Sequence, residues 1–356
     1  MHNNLKNSID LSSFPNIFRF SEDINKNRNF LNVFDDKTDI FQKKEILDIN
    51  SIETKKILPN RFDCVVNNVT LSCLAFTPNH TNNKLYISLS SGIPTSIDTP
   101  LFTRWKYHNY FNGIYICIAD PMLQINRKLP LNEPTWYYGY QDKDIFKSIK
   151  LLIEKISHIY NTDSKNITIL GSSSGGYAAM YLGCILNNIN VIALSPQLAP
   201  KLWSTSSNFE NINKCNLHDS QNNKNDLSQL LQATNTTFFI VFNDVSTKDV
   251  QQINLLTDVK NIPYGISKYS KNTFFWKHST HGLNPHNCNP EKYGMVILDW
   301  LLQEHRKGND INYFSKFSIL LSEMLAEKHF ILRKKNALKK SSLVNFMECL
   351  FRRLIF

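Results

Sequence analysis

A turn rich in glycine and serine, placed between an apolar strand and a helix of small residues, constrains this chain more than any other feature. The segment ITILGSSSGGYAAM sets Gly171 and Gly175 two residues on either side of Ser173. A serine in this pattern stands on a tight strand-to-helix turn that projects its hydroxyl above a sheet, and glycines at these positions remove Cβ atoms that would clash there. The pattern predicts Ser173 as a nucleophile, with the backbone N–H of Ser174 facing an oxyanion. A tight turn without chemistry is the alternative.

Other glycine-rich loops do not fit this segment. A phosphate-binding loop requires a Gly-Lys-Ser/Thr run, and a dinucleotide-binding loop requires Gly-x-Gly-x-x-Gly. The segment has no lysine, and residues 171–176 lack the second glycine of the dinucleotide pattern. The turn therefore favours acyl chemistry over nucleotide binding.

Apolar runs alternate with helical patterns along the middle of the chain. Strands are predicted at residues 85–90, 113–119, 166–170, 189–195, 236–242 and 272–276, and helices at 142–160, 176–186, from about 248, and at 290–304. A hairpin turning at Asn67-Asn68 precedes them. Strands that alternate with helices predict an α/β fold with a mostly parallel sheet, whose chemistry lies at the carboxyl ends of the strands.

A nucleophilic serine needs a base and an acid that orients the base, and in this architecture both follow the serine at the ends of later strands. Asp244 directly follows the strand at 236–242 and is preferred to Asp249, which has the position of a capped first turn of the next helix. The loop after the last strand offers His278, His281 and His286, of which His281 is preferred because it lies in an irregular loop that can reach back over the turn. No Asp or Glu accompanies these histidines, so a metal site is not predicted.

The second oxyanion donor is expected from the loop after an early strand. Here that loop begins with Ser91 and Gly92, which follow the strand at 85–90. An ordinary turn at the end of a strand is the alternative interpretation.

Positive charge is concentrated at the C-terminal end. The chain has a net charge of +10, and from Lys328 onward eight Lys and Arg face the single acid Glu348, so this segment carries +7. Because residues 1–327 carry only +3, no nucleic-acid partner is predicted. Residues 309–356 predict basic helices, which either dock on the main domain or bind an anionic membrane surface or a partner.

The remaining features predict the location and the domain organisation. No apolar run reaches the ~18–20 residues of a membrane helix, the start lacks the pattern of a leader, and the seven cysteines form no C-x-x-C pair. We expect a cytoplasmic protein, compatible with a peripheral position at the inner face of the membrane. Residues 1–60 form an unassigned extension, residues 61–308 the main domain, and residues 197–235 a polar insertion that is either a surface loop or a lid.

Several short motifs carry a resemblance to a known family. They are LYISLSSG, Ala119-Asp120-Pro121, WYYG at residues 136–139, GSSSGGYAA, and Ser195-Pro196-Gln197. Over residues 85–300 the chain resembles a branch of the α/β-hydrolase superfamily found in bacterial polysaccharide and glycan gene clusters. That branch is similar to the glycan-acetylating, hydrolase-like component of the accessory Sec system and to capsule O-acetyltransferases. Relatives show Asn, Asp and His spaced in threes after the penultimate strand, whereas this chain has Asn243, Ser246 and Asp249, which leaves the identity of the acid open.

The resemblance implies an α/β-hydrolase fold and acyl transfer to or from a glycan, by an O-acetyltransferase or an O-acetyl esterase. It implies no bound cofactor, with acetyl-CoA as the acyl donor if the enzyme is a transferase. Trp136 and Tyr137 are candidates to stack on a sugar ring, and a position in the core, where aromatic residues are found more often, is the alternative. The alternative function is a non-catalytic, hydrolase-like scaffold in a glycan assembly or export complex.

Overall fold

The computed structural model describes most of the chain between residues 45 and 308. The described residues are 45–52, 58, 60–78, 83–92, 100–125, 134–139, 143–219, 222, 224–225, 227–228, 230–281, 285–287 and 292–308. Most of the predicted extension at 1–60 and the predicted basic helices at 309–356 lie outside this set.

Ten strands in the described residues form one sheet. They are β1 (Glu45–Asp48), β2 (Arg61–Val66), β3 (Val69–Phe76), β4 (Leu85–Leu89), β5 (Ile114–Ile118), β6 (Ile167–Ser172), β7 (Asn190–Leu194), β8 (Thr237–Asn243), β9 (Gly265–Lys268) and β10 (Thr273–His278). Their order across the sheet is β1-β2-β3-β5-β4-β6-β7-β8-β10-β9. β3 is antiparallel to both β2 and β5, β9 is antiparallel to β10, and the other neighbouring strands are parallel. The predicted mostly parallel sheet is therefore confirmed.

Helices cover both faces of this sheet. They are α1 (Pro121–Ile125), α2 (Ile145–Ile159), α3 (Ser174–Leu186), α4 (Ser206–Asn213), α5 (Thr247–Ile253) and α6 (Lys292–Arg306). Short 3-10 turns lie at Trp105–Asn109, Ser164–Asn166, Pro200–Leu202, Leu230–Gln232, Val259–Asn261 and Pro285–Asn287. On β6, Ile169 packs into the apolar cluster that contains α2 and α3, and Leu170 packs into the cluster that contains α6. Because both faces are covered, the central strands are buried throughout, as their continuous apolar runs predict.

The sequence predicts the hairpin turn but not the two edge strands of the sheet. Asn67 and Asn68 have φ values of 50° and 61°, so the predicted turn between β2 and β3 is confirmed. The sequence patterns did not predict the four-residue strands β1 and β9, which lie at the two edges of the sheet.

The insertion at residues 197–235 packs onto the domain through buried contacts. It contains α4, whose Phe209 is fully buried with its ring edge-on to Trp136, the ring centroids 5.1 Å apart. Tyr138 Oη donates to Asn225 Oδ1 at 2.7 Å, and Lys224 Nζ lies 3.3 Å from the Asp144 carboxylate. These contacts hold the insertion against the loop of Trp136 and the start of α2.

Two further observations concern the described residues as a whole. No helix among them is long and apolar enough to cross a membrane. Five of the seven cysteines are described, and all five are free thiols.

Candidate functional site

The predicted serine turn is present at the carboxyl end of a central strand. β6 ends at Ser172, α3 begins at Ser174, and Ser173 between them has φ 53° and ψ −120°. This backbone conformation costs a non-glycine residue about 1–3 kcal/mol and is maintained only where neighbouring contacts enforce it. Here the Ser173 N–H donates to the Leu194 carbonyl of β7 at 2.9 Å. The turn holds the half-buried Ser173 hydroxyl above the sheet.

The two glycines of the motif are required by close backbone approach. A Cβ on Gly171 would lie 2.0 Å from the carbonyl oxygen of Gly175, and a Cβ on Gly175 would lie 2.6 Å from the carbonyl oxygen of Ser90. Atoms cannot approach this closely without moving the backbone. The spacing that the sequence motif requires is therefore explained by contacts within the turn and with the end of β4.

A histidine and an aspartate continue from the serine as a chain of hydrogen bonds. His286 Nε2 lies 2.9 Å from Ser173 Oγ, and His286 Nδ1 lies 2.6 Å from Asp249 Oδ1. A carboxylate only accepts, so Nδ1 carries the proton that is donated to Asp249. Nε2 is then the acceptor for the Ser173 hydroxyl, which is the arrangement that a general base requires.

Asp249 is buried and surrounded by donors. Its Oδ2 accepts from Ser195 Oγ at 2.5 Å and from the Asn243 N–H at 3.1 Å, and its Oδ1 accepts from Ser246 Oγ at 2.9 Å as well as from His286. The side chain is 1% exposed. Every direction around the carboxylate is thus occupied by a hydrogen-bond donor, which holds it toward the imidazole.

The preference for His281 as the residue beside Ser173 was wrong. His281 is exposed, and His278 is buried with Nδ1 2.9 Å from Thr280 Oγ1. The reason lies in Asn243, whose Nδ2 donates to the carbonyls of Thr280 and Pro285 at 2.7 and 3.0 Å. These bonds hold Thr280 and Pro285 at the end of β8, and the 3-10 turn at Pro285–Asn287 presents His286 to the serine.

The preference for Asp244 as the partner of the imidazole was also wrong. Its carboxylate accepts from Ser279 Oγ and lies 3.8 Å from Lys277 Nζ. Asp249 does lie in the capped first turn of α5, because Ser246 Oγ accepts from the Asp249 N–H at 3.3 Å. Its side chain nevertheless turns back from that first turn toward His286.

The predicted oxyanion residues lie together beside the turn. Ser174 is the first residue of α3, so its N–H has no partner within the helix. The Gly92 N–H donates to Ser174 Oγ at 3.0 Å, and both Ser91 and Gly92 are half-buried. The loop after β4 therefore reaches the first turn of α3, as the prediction requires, and the role of these residues stays a prediction.

Trp136 and Tyr137 do not present a surface to a sugar. Both are 0% exposed, which corrects the prediction that they stack on substrate. Tyr137 Oη donates to the Ile118 carbonyl at 2.8 Å and accepts from the Ser90 N–H at 2.7 Å. The WYYG motif is thus an internal support of the loop that leads to the oxyanion residues.

Asp120 joins the Ala-Asp-Pro motif to the same support. Its carboxylate accepts from Thr135 Oγ1 at 2.5 Å, from the Tyr137 N–H at 3.0 Å and from the Met122 N–H at 2.9 Å. Complete burial raises its pKa to about 6, and the three hydrogen bonds oppose part of this rise.

Two residues near the site were missed by the sequence analysis. The half-buried Trp203, from the insertion, lies with its ring centroid 5.2 Å from that of His286, and Lys248 Nζ lies 4.3 Å above the Trp203 ring. Gln197 Nε2 donates to Ser173 Oγ at 2.8 Å. Gln197 belongs to the Ser-Pro-Gln motif, whose sequence alone does not indicate a contact with Ser173.

The described residues contain no group of three or more His, Cys, Asp or Glu side chains that could hold a metal ion. The polar groups that converge on Ser173 are one imidazole, one amide and, through the imidazole, one carboxylate. This set can activate a hydroxyl and accept its proton.

Comparison with known proteins finds similar solved structures of low sequence identity. No protein-family model matches the sequence, and no curated protein matches it in sequence. A capsule O-acetyltransferase of Neisseria meningitidis serogroup A is 17% identical with a TM-score of 0.45, and the match covers 67% of this chain and 96% of that chain. A glycosylation-associated protein complex from Streptococcus agalactiae is 17% identical with a TM-score of 0.44, covering 70% and 46%. An S-formylglutathione hydrolase from Agrobacterium tumefaciens is 12% identical with a TM-score of 0.46, covering 69% and 92%.

The strand order and the strained serine turn after β6 are those of an α/β-hydrolase. Strand β3 is antiparallel to its neighbours β2 and β5, and β5 lies between β3 and β4 in the sheet. From β5 the strands β4, β6, β7, β8 and β10 follow in parallel. This chain therefore has the α/β-hydrolase fold.

Proposed function

We propose that this chain is a serine acyl-transfer enzyme acting on a glycan, with Ser173, His286 and Asp249 as its catalytic triad. The observation that carries the proposal is the continuous hydrogen bonding from the serine hydroxyl through the imidazole to a buried carboxylate. Each member has the partner that its role needs, and the serine stands on a strained turn.

In the first half of the reaction Ser173 Oγ attacks the carbonyl carbon of an ester or thioester. The hydroxyl proton passes to His286 Nε2, and Asp249 stabilises the imidazolium that forms. The N–H of Ser174, with a donor from the Ser91-Gly92 loop, stabilises the oxyanion of the tetrahedral intermediate. His286 then protonates the leaving group, which leaves an acyl group on Ser173.

The acyl group is released to water by an esterase or to a sugar hydroxyl by a transferase. The substrate class rests on the motif resemblance, which implies acetyl transfer on a glycan and acetyl-CoA as the donor of a transferase. Trp203 takes the place proposed for Trp136, because it is a half-buried aromatic ring next to the base. We propose that it lies against the acceptor and limits the access of water to His286.

We further propose that the enzyme lies in the cytoplasm. The basic residues 309–356 are then the segment that binds an anionic membrane surface or a glycan assembly complex. Seven of the ten net positive charges lie from Lys328 onward, beyond every residue of the triad. A non-catalytic scaffold is the competing function, and the same segment would serve its docking.

Labelling with a serine-reactive fluorophosphonate separates the enzyme from the scaffold. We expect stoichiometric labelling of the wild type, and loss of the label in Ser173→Ala. Ser172→Ala is the matched control: it removes the neighbouring hydroxyl, which accepts from Arg104 at 2.7 Å, and we expect it to retain the label. Well-folded wild type that takes no label would exclude the enzyme and favour the scaffold.

Mass spectrometry of acetylated and deacetylated polysaccharides then defines the reaction. Acetyl gain from acetyl-CoA that requires Ser173 identifies a transferase, and acetyl loss without a donor identifies an esterase. Labelling of Ser173 with neither change would place the substrate outside acetylated glycans.

A further inference from the structure

The Ser-Pro-Gln segment after β7 contacts the serine and the aspartate of the site at once. Ser195 Oγ donates to Asp249 Oδ2 at 2.5 Å, and two residues later Gln197 Nε2 donates to Ser173 Oγ at 2.8 Å. The Gln197 N–H also donates to the Ser173 carbonyl at 3.3 Å. Gln197 is 0% exposed, so its amide is shielded from water where it contacts the hydroxyl.

The orientation of the Gln197 amide follows from its second partner. Trp136 Nε1 faces Gln197 Oε1, and an indole N–H can only donate. The atom of the amide that faces Trp136 must therefore be the oxygen, and the NH₂ group must face Ser173. Since Trp136 is itself fully buried, the amide is held in this direction by a partner that cannot turn toward water.

These contacts leave one lone pair of Ser173 Oγ available for attack on a substrate. The hydroxyl has one proton, which it donates to His286 Nε2, and it has two lone pairs. Gln197 donates to one lone pair, and the other remains for attack. An N–H that points at the oxygen also stabilises negative charge on it as the proton departs.

We propose that Gln197 is a catalytic residue that stabilises the negative charge on Ser173 Oγ. This charge develops when Ser173 loses its hydroxyl proton and again when the bond between Ser173 Oγ and the acyl group breaks. The inference rests on the proposed function, because it assigns Gln197 to the same serine chemistry. It holds the hydroxyl toward His286 during attack, and it stabilises the serine oxygen as a leaving group during release of the acyl group. Trp136 is a positioning residue that acts through Gln197.

The test uses phosphonylation of Ser173, in which the Oγ–P bond forms, the P–F bond breaks with loss of fluoride, and the hydroxyl proton passes to His286. Gln197→Glu keeps the size of the side chain and an oxygen for Trp136. When this Glu is protonated it can donate to Oγ as the amide does, and when it is ionised it can only accept and competes with His286 for the hydroxyl proton.

We expect the ionised Gln197→Glu variant of the full chain to be labelled about 10- to 100-fold more slowly than wild type. The ratio of the variant rate to the wild-type rate should rise toward one as the pH is lowered, because protonation of the introduced carboxyl group restores a hydrogen-bond donor to Ser173 Oγ. Gln251→Glu adds the same charge on the exposed surface of α5 and should leave the rate within about twofold of wild type.

Several outcomes would overturn the inference. A Gln197→Glu variant that is labelled at the wild-type rate at every pH, or that shows a deficit independent of pH, would remove Gln197 from the chemistry while leaving the proposed function intact. Wild type that takes no label would overturn both. If Gln197→Glu does not fold by circular dichroism, Trp136→Phe leaves the amide in place but unheld, and a wild-type labelling rate in that variant would exclude the proposed orientation.

Discussion

Replacement of Asp249 by Asn tests which acid orients the base. The amide has one accepting oxygen and one NH₂ group, and the Asn243 N–H can only donate to it. The oxygen must therefore stay on the side of Asn243 and Ser195, which turns the NH₂ group toward His286 Nδ1. The imidazole then has to accept at Nδ1 and carry its proton on Nε2, where it can no longer take the proton of Ser173.

The expected loss follows from this change of tautomer. In serine enzymes with this arrangement it lowers kcat by about 10⁴-fold, which is about 5 kcal/mol of transition-state stabilisation. The fold should lose only about 1–3 kcal/mol, because the donors around residue 249 keep partners. Hydrolysis of 4-nitrophenyl acetate and urea unfolding of the same preparation measure the two effects separately.

The matched control is Asp244→Asn. The Asp244 carboxylate contacts Ser279 and a lysine 3.8 Å away, and its side chain is 25% exposed. A partly exposed pair of this kind contributes about 0–1 kcal/mol, so we expect kcat within about threefold of wild type. Equal losses in the two variants, or an Asp249→Asn enzyme with more than about a tenth of wild-type activity, would refute the assignment of the acid.

Four further predictions follow from other parts of the structure. Asn243→Ala should lower kcat by at least about tenfold and the free energy of unfolding by about 1–3 kcal/mol, because the segment before His286 loses two hydrogen bonds from the Asn243 amide. A kcat equal to that of wild type would contradict this. Gly175→Ala should destabilise the fold by more than about 2 kcal/mol in urea unfolding, because its Cβ would lie 2.6 Å from a carbonyl oxygen of the loop after β4. Burial raises the pKa of Asp120 to about 6, so the folded state keeps a proton that the unfolded state loses, and stability from this group falls by up to about 3 kcal/mol as the pH rises from about 4 to about 6; in urea unfolding across that range, the free energy of unfolding should fall more steeply in wild type than in Asp120→Asn, by up to this amount. Deletion from Ser341 should leave hydrolysis of 4-nitrophenyl acetate intact and weaken co-sedimentation with anionic liposomes in low salt, where each basic residue contributes about 1 kcal/mol; equal sedimentation of both proteins would exclude the membrane role.

The serine turn could be predicted from the sequence because its cause is local. Gly171, Ser173 and Gly175 lie within five residues, and the contacts that require the glycines are within the turn or with one adjacent strand end. The central strands were equally visible, because burial on both faces leaves a continuous apolar run. The four-residue edge strands β1 and β9 have no such run.

The histidine that contacts Ser173 and the carboxylate that contacts the histidine could not be predicted from position alone. The rule that a catalytic group directly follows its strand selects Asp244, but the first turn of α5 directs the Asp249 side chain back toward the sheet. The choice among the histidines depends on Asn243, a residue 37 positions before Thr280, whose amide determines the path of their loop. No local pattern in the sequence records such a contact.

The aromatic residues were misassigned for a related reason. Composition shows that Trp136 and Tyr137 are large and amphipathic, but not whether their polar atoms meet water or buried partners. The partners are the buried amide of Gln197, after β7, and the backbone carbonyl of Ile118, at the end of β5. Trp203 lies in a polar insertion that shows no regular pattern, so its position beside His286 depends on how that insertion packs.

The pairing of Ser173 with His286 has a consequence for the order in which the chain folds. The hydrogen bond joins residues 113 positions apart, and β10, which precedes the base, pairs with β8 on one side and β9 on the other. The strained turn can form when β6, α3 and β7 have been synthesised, whereas His286 arrives only after the last described strand has been synthesised. Such distant contacts form late, because closing a long loop costs entropy before the contact compensates for it. On the proposed mechanism, a nascent chain that ends before His286 carries an unactivated serine, and reactivity at Ser173 would report that β10 has joined the sheet.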